Sequence, residues 1–162
     1  MRRLATTHPA AQLLVLGRGT HFDQVARRPV ERLGLADRVA LAGYRQDDYP
    51  AAMRCMDLFT FLVPGSDGTC RALLESATCG IPAVTTRRGA LPEIVVDGET
   101  GLLVEEEPEA LAAAWRRLLE NPDERRRLGE SARRRAEALF SPERLAREVE
   151  SLYRSASSSS QD

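Results

Sequence analysis

Five short apolar segments alternate with segments of helical periodicity between residues 12 and 104. The apolar segments lie at residues 12–16, 39–42, 57–63, 82–86 and 102–104. Short strands separated by helices are typical of βαβ units with right-handed crossovers. We therefore predict an α/β fold with a doubly wound parallel sheet of about five strands. The segment at 57–63 is almost wholly apolar, so both of its faces are expected to be covered.

The segments between these strands are predicted to be helical. Helices are predicted at residues 21–34, 47–53 and 70–79, and residues 1–11 are predicted to form the tail of a further helix that leads into a turn. Pro29 is expected to break the first helix, because proline cannot donate the helical hydrogen bond. Asp47 or Asp48 is expected to cap the second, and Gly80 is expected to stop the third.

Residues 105–154 show no strand pattern and carry three helical segments instead. These helices are predicted to open at Pro108, Pro122 and Pro142, where proline suits the first turn. Leu111, Trp115, Leu118 and Leu119 recur at helical spacing and are predicted to lie in the core. We therefore expect one domain over residues 1–154, followed by a polar tail at 155–162 that is predicted to be disordered.

The charge and the titratable residues exclude several classes of function. The chain has 23 basic and 24 acidic residues, which argues against a nucleic-acid-binding domain. Lysine is absent, which excludes Schiff-base catalysis and a P-loop lysine. Two histidines give little material for a zinc site or a histidine triad. Three cysteines, the lack of a signal peptide and the lack of a long apolar run favour a reduced, cytoplasmic chain without a transmembrane helix.

Two runs of arginine, at residues 125–127 and 133–135, could suggest a nucleic-acid surface. Acidic residues interleave with these runs, as they do on a solvated helix face that is laced with i,i+4 ion pairs. We therefore interpret both runs as solvated helix surface.

The loop after the third predicted strand is the richest in residues suited to ligand binding. Asp67 and Gly68 lie where the loop becomes a helix, and Glu75 follows about two turns along that helix. The N–H groups of the first helical turn, near Arg71, suit an anionic group such as a diphosphate. An ionised carboxylate accepts hydrogen bonds from neighbouring hydroxyls, so Asp67 and Glu75 suit a hydroxyl-rich ligand. Ligands of such sheets bind at the carboxyl ends of the strands, where this loop is expected to lie.

Residues 67–84 read DGTCRALLESATCGIPAV. This segment resembles the acid-x7-acid donor motif of retaining GT-B fold glycosyltransferases of the family-4 type, also called glycosyl transferases group 1. In that family the loop and helix read roughly EGFGxxxxEAxAxGxPVV. The resemblance continues, in the family's order, at residues 14–19, 33–44, 91–95 and 98–104.

This resemblance implies half of a GT-B fold, namely a Rossmann-like donor-binding domain followed by C-terminal helices. The implied activity is transfer of a hexose from a nucleotide-diphosphate sugar to an acceptor hydroxyl with retention, in polysaccharide or glycolipid biosynthesis. No cofactor and no metal is expected. Catalytic roles are implied for three residues: Glu75 would bind the donor ribose, Asp67 would lie near the transferred sugar, and Arg71 would neutralise part of the diphosphate.

Further donor contacts are implied by the same resemblance. Gly68, Thr69 and Cys70 would offer backbone N–H groups to the sugar and phosphate. Gly43, Tyr44 and Arg45 would flank the nucleobase, and Gly17 and Gly19 would allow the donor to approach closely. Arg18 and Arg45 are weaker candidates for neutralising the leaving group. Two departures from the family's pattern bear on sugar preference: Asp67 is one methylene shorter than the usual glutamate, and Cys70 replaces the family's second glycine.

The resemblance covers only the C-terminal, donor-binding domain of the family. The N-terminal acceptor domain and the first strand of the donor domain have no counterpart in these residues, so acceptor contacts are expected from a missing segment or a partner chain. Peripheral membrane contact through that absent half stays open. The alternatives are a non-catalytic nucleotide-sugar-binding half that pairs with a separate acceptor-domain subunit, an inactive gene fragment, and an unrelated doubly wound module such as an epimerase half.

Overall fold

The computed structural model of the chain describes residues 1–62 and 70–158. Five short strands alternate with helices, and three longer helices follow them. The strands are β1 (Leu13–Leu16), β2 (Val39–Gly43), β3 (Phe59–Phe61), β4 (Ala83–Thr85) and β5 (Gly101–Leu103). Every strand pair is parallel. The predicted α/β class with C-terminal helices is confirmed.

The helices begin and end close to the positions that proline and glycine mark in the sequence. A π-helical turn (Asp23–Arg27) leads into α1 (Arg28–Arg32), and α2 (Tyr49–Arg54), α3 (Arg71–Thr78), α4 (Leu91–Ile94), α5 (Pro108–Glu120), α6 (Pro122–Leu139) and α7 (Pro142–Ser158) follow. Pro29 lies in the first turn of α1, so it separates the π turn from the α-helix. Gly80, at φ +73°, stops α3 as predicted.

The five strands form two sheets, whereas the sequence predicts one. β1 pairs with β2, and β3, β4 and β5 form the second sheet with β4 in the middle. Strand β4 has a neighbour on each edge and is fully buried, with Val84 and Thr85 at 0% exposure. The expectation that residues 57–63 are fully covered is wrong for β3, which is only half-buried. Strand β3 has β4 on one edge, and its other edge borders a cavity.

Three local expectations are also corrected. Residues 2–7 form turns rather than the tail of a helix, and these turns bring Leu4 into the core at 1% exposure. Asp48 precedes α2 but makes no capping hydrogen bond. The helix α7 extends to Ser158 and so includes the first four residues of the predicted disordered tail. Within this last part of α7, the hydroxyls of Ser155 and Ser157 donate to the carbonyls of Leu152 and Tyr153.

The core on one side of the second sheet joins that sheet to the C-terminal helices. Val84 and Leu102 pack with Trp115, Leu118 and Leu128. The indole N–H of Trp115 donates to the Thr60 hydroxyl at 2.8 Å, which ties α5 to β3. Trp115 and Leu118 are buried, and Leu111 and Leu119 pack against the same cluster, so the predicted core face of α5 is confirmed.

Helix α3 rests directly on α6 through two glycines and a patch of alanines. A Cβ on Gly129 would overlap the carbonyl oxygen of Gly80, so only glycine permits this approach. Ala77, Ala132 and Ala136 form a small buried cluster alongside. The position of α3 is therefore fixed by backbone packed against backbone.

Among the helices of residues 1–62 and 70–158, none combines the length and the apolar character that crossing a membrane requires.

Candidate functional site

The loops that follow β1 and β2 are joined to each other at the carboxyl end of the first sheet. The Gly17 N–H donates to the Gly43 carbonyl at 2.8 Å. Both glycines have positive φ, +136° at Gly17 and +68° at Gly43, conformations that glycine adopts without steric cost. The Arg18 guanidinium lies 4.5 Å from the ring centre of Tyr44, a cation–π contact. These two loops therefore form one wall with an exposed aromatic ring at its edge.

Arg45 is held by an ion pair on the same wall. Its guanidinium donates through Nε to Asp48 Oδ1 at 2.8 Å and through a terminal nitrogen to Asp48 Oδ2. This bidentate contact also accounts for the missing cap on α2, because the Asp48 carboxylate faces Arg45 rather than the helix N–H groups. Asp48 thus balances the positive charge of Arg45, one of the weaker candidates for neutralising the leaving group.

The opposite wall is the first two turns of α3. Cys70 precedes the helix with φ +49° and is 1% exposed. Arg71 is exposed in the first helical turn, and Glu75 is half-buried one turn further. The left-handed conformation at Cys70 falls where the family's pattern has its second glycine, a residue that carries no steric cost at such an angle.

Glu75 is held in place from the α2 side. The Tyr49 hydroxyl donates to Glu75 Oε2 at 2.9 Å, across 26 positions of sequence. Burial, followed by this hydrogen bond, raises the pKa of Tyr49 well above its usual value, so Tyr49 remains a donor at neutral pH. The contact fixes the direction of a carboxylate that could accept hydroxyls of a ligand.

The two walls border one cavity of about 1410 Å³. Of the predicted site residues, those that line it are Gly17, Tyr44, Arg45, Cys70, Arg71 and Glu75. Gly19 lies in the loop after β1 but outside the lining, and so does Gly43, whose carbonyl instead binds Gly17. Asp67, Gly68 and Thr69 lie outside the described residues.

Tyr49 is a site residue that the sequence analysis missed. Its contact with Glu75 joins two helices that are distant in the chain, and no periodicity or motif in the sequence marks it. The sequence indicates Arg18 only as a weaker candidate for neutralising the leaving group, whereas the structure places its guanidinium over the Tyr44 ring. That stacking could be anticipated only once β1 and β2 were known to be neighbours.

Within the described residues, no three histidine, cysteine, aspartate or glutamate side chains come together as metal ligands. The expectation that no metal takes part stays a prediction. A second, smaller cavity of about 250 Å³, lined by residues that include Gly80, Pro122 and Arg126, holds none of the predicted site residues.

Comparison with known families decides what kind of chain this is. Residues 1–135 match the family described as "Glycosyl transferases group 1". The chain belongs to this family. The resemblance drawn from the donor motif is therefore confirmed, and the family model covers both walls of the cavity.

Curated group 1 relatives support the same assignment. The chain is 31% identical to N-acetyl-alpha-D-glucosaminyl L-malate synthase of Bacillus anthracis, over 91% of this chain and 38% of that protein. It is 34% identical to MMP alpha-(1->4)-mannosyltransferase of Mycolicibacterium hassiacum, over 78% of this chain and 31% of that protein. The chain therefore spans less than two fifths of the length of these two relatives.

Solved structures share the fold. A sucrose-phosphate synthase from Thermosynechococcus elongatus superposes with a TM-score of 0.78 at 28% identity, over 98% of this chain and 42% of that one. HepE from Anabaena, in complex with UDP, superposes with a TM-score of 0.83 at 24% identity, over 94% of this chain and 43% of that one. A C-terminal domain of a group 1 protein from Francisella tularensis gives 0.73 at 21% identity, over 87% of this chain and 77% of that domain. The group 1 chain thus has the fold of a C-terminal glycosyltransferase domain.

Proposed function

We propose that the chain is the donor-binding domain of a retaining glycosyltransferase that transfers a hexose from a nucleotide-diphosphate sugar to an acceptor hydroxyl. The observation that carries this proposal is the Glu75 carboxylate, which Tyr49 orients at the edge of the large cavity. A carboxylate held in this way can accept both hydroxyls of a ribose. Acceptor contacts come from the remainder of a full-length enzyme or from a partner chain.

The names of the relatives support a nucleotide-sugar donor. Two group 1 relatives from Mycobacterium tuberculosis strains are named as GDP-mannose-dependent mannosyltransferases, and HepE from Anabaena has been solved with UDP-glucose. Donors of this class carry a diphosphate, a ribose and a base. On this chain, Glu75 takes the ribose, and Tyr44, with Arg18 stacked on it, flanks the base.

The proposed catalytic contribution is charge stabilisation of the departing diphosphate. Arg71 and the N–H groups of the first turn of α3 take up this charge without a bound metal. Arg45, whose guanidinium pairs with Asp48, stays a weaker candidate for this role. Asp67, Gly68 and Thr69 keep their predicted roles near the sugar and phosphate and lie outside the described residues.

Saturation-transfer NMR tests the donor site directly. UDP-, GDP- and ADP-sugars are added one at a time to the whole chain, with and without a metal chelator. Saturation is expected on ribose and base protons of one donor, unchanged by the chelator. Glu75→Gln should abolish the ribose signals, because a neutral amide accepts hydroxyl hydrogen bonds less strongly than a carboxylate does.

Glu130→Gln is the matched control, since Glu130 is an exposed glutamate on α6, away from the cavity. This variant should bind the donor as the wild type does. The proposal is refuted if no nucleotide sugar binds to the folded chain, or if Glu75→Gln and Glu130→Gln bind equally well.

A second candidate is a non-catalytic nucleotide-sugar-binding half that pairs with an acceptor-domain subunit. The observation that favours it is that, within the described residues, β1 and β3 each have one edge along the cavity on which no strand is paired. Donor binding without transfer or donor hydrolysis, by the chain alone and with added acceptor sugars, would support this candidate over the enzyme.

A further inference from the structure

The hydrogen bond between Tyr49 and Glu75 leaves acceptor positions open on both side chains. The Tyr49 hydroxyl donates its proton to Glu75 Oε2 at 2.9 Å. A phenol oxygen that donates its proton can still accept a hydrogen bond. An ionised carboxylate has about four acceptor positions, and the bond from Tyr49 occupies a single one of them. Acceptors from two different helices therefore lie side by side.

Both side chains border the large cavity, where a ligand can reach them. Tyr49 and Glu75 line this cavity, and both are half-buried rather than enclosed. Tyr49 begins α2, whereas Glu75 lies near the middle of α3. Hydroxyls on adjacent carbons, such as those of a ribose, can therefore contact the phenol oxygen and the carboxylate at the same time.

The protonation of this pair decides which ligand groups it can bind. Burial and the hydrogen bond to Glu75 raise the pKa of Tyr49, so the tyrosine keeps its proton and directs it at the carboxylate. Neither side chain then offers a proton to a ligand. The pair suits groups that donate hydrogen bonds, and the carboxylate repels a phosphate group attached to the same ribose.

We propose that Tyr49 is a specificity-determining residue that contacts the nucleotide sugar: its phenol oxygen accepts one ribose hydroxyl, and the Glu75 carboxylate accepts the other. This inference rests on the proposed function, in which the ribose binds at Glu75. It goes further because it divides the two hydroxyls between two side chains on two helices. The pair then selects nucleotide sugars whose 2′ and 3′ hydroxyls are both present and unphosphorylated.

The two hydroxyls should contribute unequally to binding. A hydrogen bond accepted by a neutral phenol is weaker than one accepted by a carboxylate. Removal of the hydroxyl that Tyr49 accepts should raise the Kd about three- to tenfold, and removal of the hydroxyl that Glu75 accepts should raise it by more than about tenfold.

Titration calorimetry with deoxynucleotides tests this division on the whole chain. The probes are UDP, GDP and ADP, followed by the 2′-deoxy and 3′-deoxy forms of whichever nucleotide binds. On the wild type, both deoxy forms should bind more weakly, by the two factors given above. On Tyr49→Phe, the smaller of the two preferences should disappear and the larger should persist. Tyr153→Phe, at an exposed tyrosine of α7, is the matched control and should keep both preferences.

Two results would overturn this inference and leave the proposed function intact. If Tyr49→Phe keeps both preferences, Tyr49 does not contact the ribose. If it weakens both preferences alike, Tyr49 acts only by orienting Glu75, because both hydroxyls are then bound by the carboxylate. Binding of none of the three nucleoside diphosphates to the wild type would instead refute the proposed function, and this inference with it.

A second measurement needs no variant of the chain. The 2′-fluoro and 3′-fluoro forms of the same nucleotide have no proton to donate at the substituted position. Since the pair offers only acceptors, each fluoro form should bind no more tightly than the matching deoxy form. Binding as tight as that of the parent nucleotide would mean that a hydrogen-bond donor meets the substituted position, which also contradicts the inference.

Discussion

At the scale of single residues, the site depends on a contact between two side chains that lie on separate helices. Tyr49 on α2 donates to Glu75 on α3, and both are half-buried at the cavity. A glutamate side chain on a helix surface ordinarily samples several rotamers, and restricting it to one rotamer when a ligand binds costs conformational entropy. The hydrogen bond from Tyr49 already restricts the Glu75 side chain, so less entropy is lost on binding.

Tyr49→Phe is therefore expected to weaken donor binding while leaving the fold intact. The loss of one hydrogen bond of about 0.7–1.4 kcal/mol corresponds to a three- to tenfold rise in the Kd of the donor. Titration calorimetry measures this change. Tyr153→Phe, at an exposed tyrosine of α7, should leave the Kd unaltered, and equal effects of the two variants would contradict the positioning role.

The same tyrosine gives the chain a pH dependence in the alkaline range. Burial and the hydrogen bond to Glu75 raise the pKa of Tyr49, so the folded chain keeps a proton that the unfolded chain releases near pH ~10. The free energy of unfolding should therefore fall as the pH rises above about 10. Denaturant titrations from pH ~9 to ~11 should show a shallower fall for Tyr49→Phe, and identical slopes would argue against the raised pKa.

Cys70 shows how a departure from the family pattern is accommodated. Its left-handed backbone, at φ +49°, costs a non-glycine residue about 1–2 kcal/mol, whereas its side chain is buried at 1% exposure. Cys70→Gly and Cys70→Ala both remove the sulfur, but only glycine relieves the backbone. We expect Cys70→Gly to be more stable than Cys70→Ala by about 1 kcal/mol in thermal unfolding. The opposite order would mean that Cys70 is unstrained.

At the scale of elements, arginines from the two runs on α6 tie helices together. The Arg125 guanidinium donates to the Leu118 carbonyl of α5 at 2.6 Å. Arg135 donates to the Glu93 and Ile94 carbonyls of α4 at 2.8 and 3.2 Å. These carbonyls lie near helix C-termini, where positive charge is favoured. The solvated-face interpretation holds for Arg133, which pairs with Glu137, but not for Arg125 or Arg135.

Arg125→Ala is predicted to destabilise the fold more than Arg126→Ala does. Arg125 is 20% exposed and bonds a helix end, so its loss should cost about 1.5–3 kcal/mol. Arg126 is the next residue, 69% exposed, and its loss should change stability by less than about 0.5 kcal/mol. Urea unfolding of both variants makes the comparison, and equal midpoints would show that Arg125 is only a surface charge.

The sequence predicts elements better than it predicts the contacts between them. Pro108, Pro122 and Pro142 mark the starts of α5, α6 and α7, because proline restricts the local backbone. The contact of Gly129 with Gly80 could not be predicted in this way. Glycine in the middle of a helix lowers helix stability, and its purpose in α6 is evident only from the close approach of Gly80. The Tyr49–Glu75 hydrogen bond could not be predicted from the sequence either, because tertiary packing alone brings its two residues together.

At the scale of the whole molecule, the first sheet is attached more weakly than the second. Three buried hydrophobic clusters are found among the described residues. Their residues come from the second sheet, from the helices α3 to α6 and from nearby turns, and none lies in β1 or β2. The two sheets share no ladder hydrogen bonds in that part of the chain. Local opening should therefore cost less free energy at β1 and β2 than at β4.

Native-state hydrogen exchange should resolve these two levels of stability. The amides that β2 donates to β1, such as that of Ala40, are expected to exchange faster than those of Val84 and Thr85 in β4, which is fully buried. If the proposed function holds, donor binding should reduce the difference in exchange rate between β2 and β4, because the donor would contact both walls of the cavity. Equal protection of β2 and β4 in the free chain would show that the sheets open together.

The glycine contact between α3 and α6 also bears on how such a chain can diverge. Gly129 meets the backbone of Gly80 directly, so the location of the Glu75 helix is set by the path of the main chain rather than by matching side chains. Most residues around α3 can therefore be substituted without moving the Glu75 carboxylate. An insertion or deletion between α3 and β4 would instead move the whole helix and take Glu75 away from Tyr49.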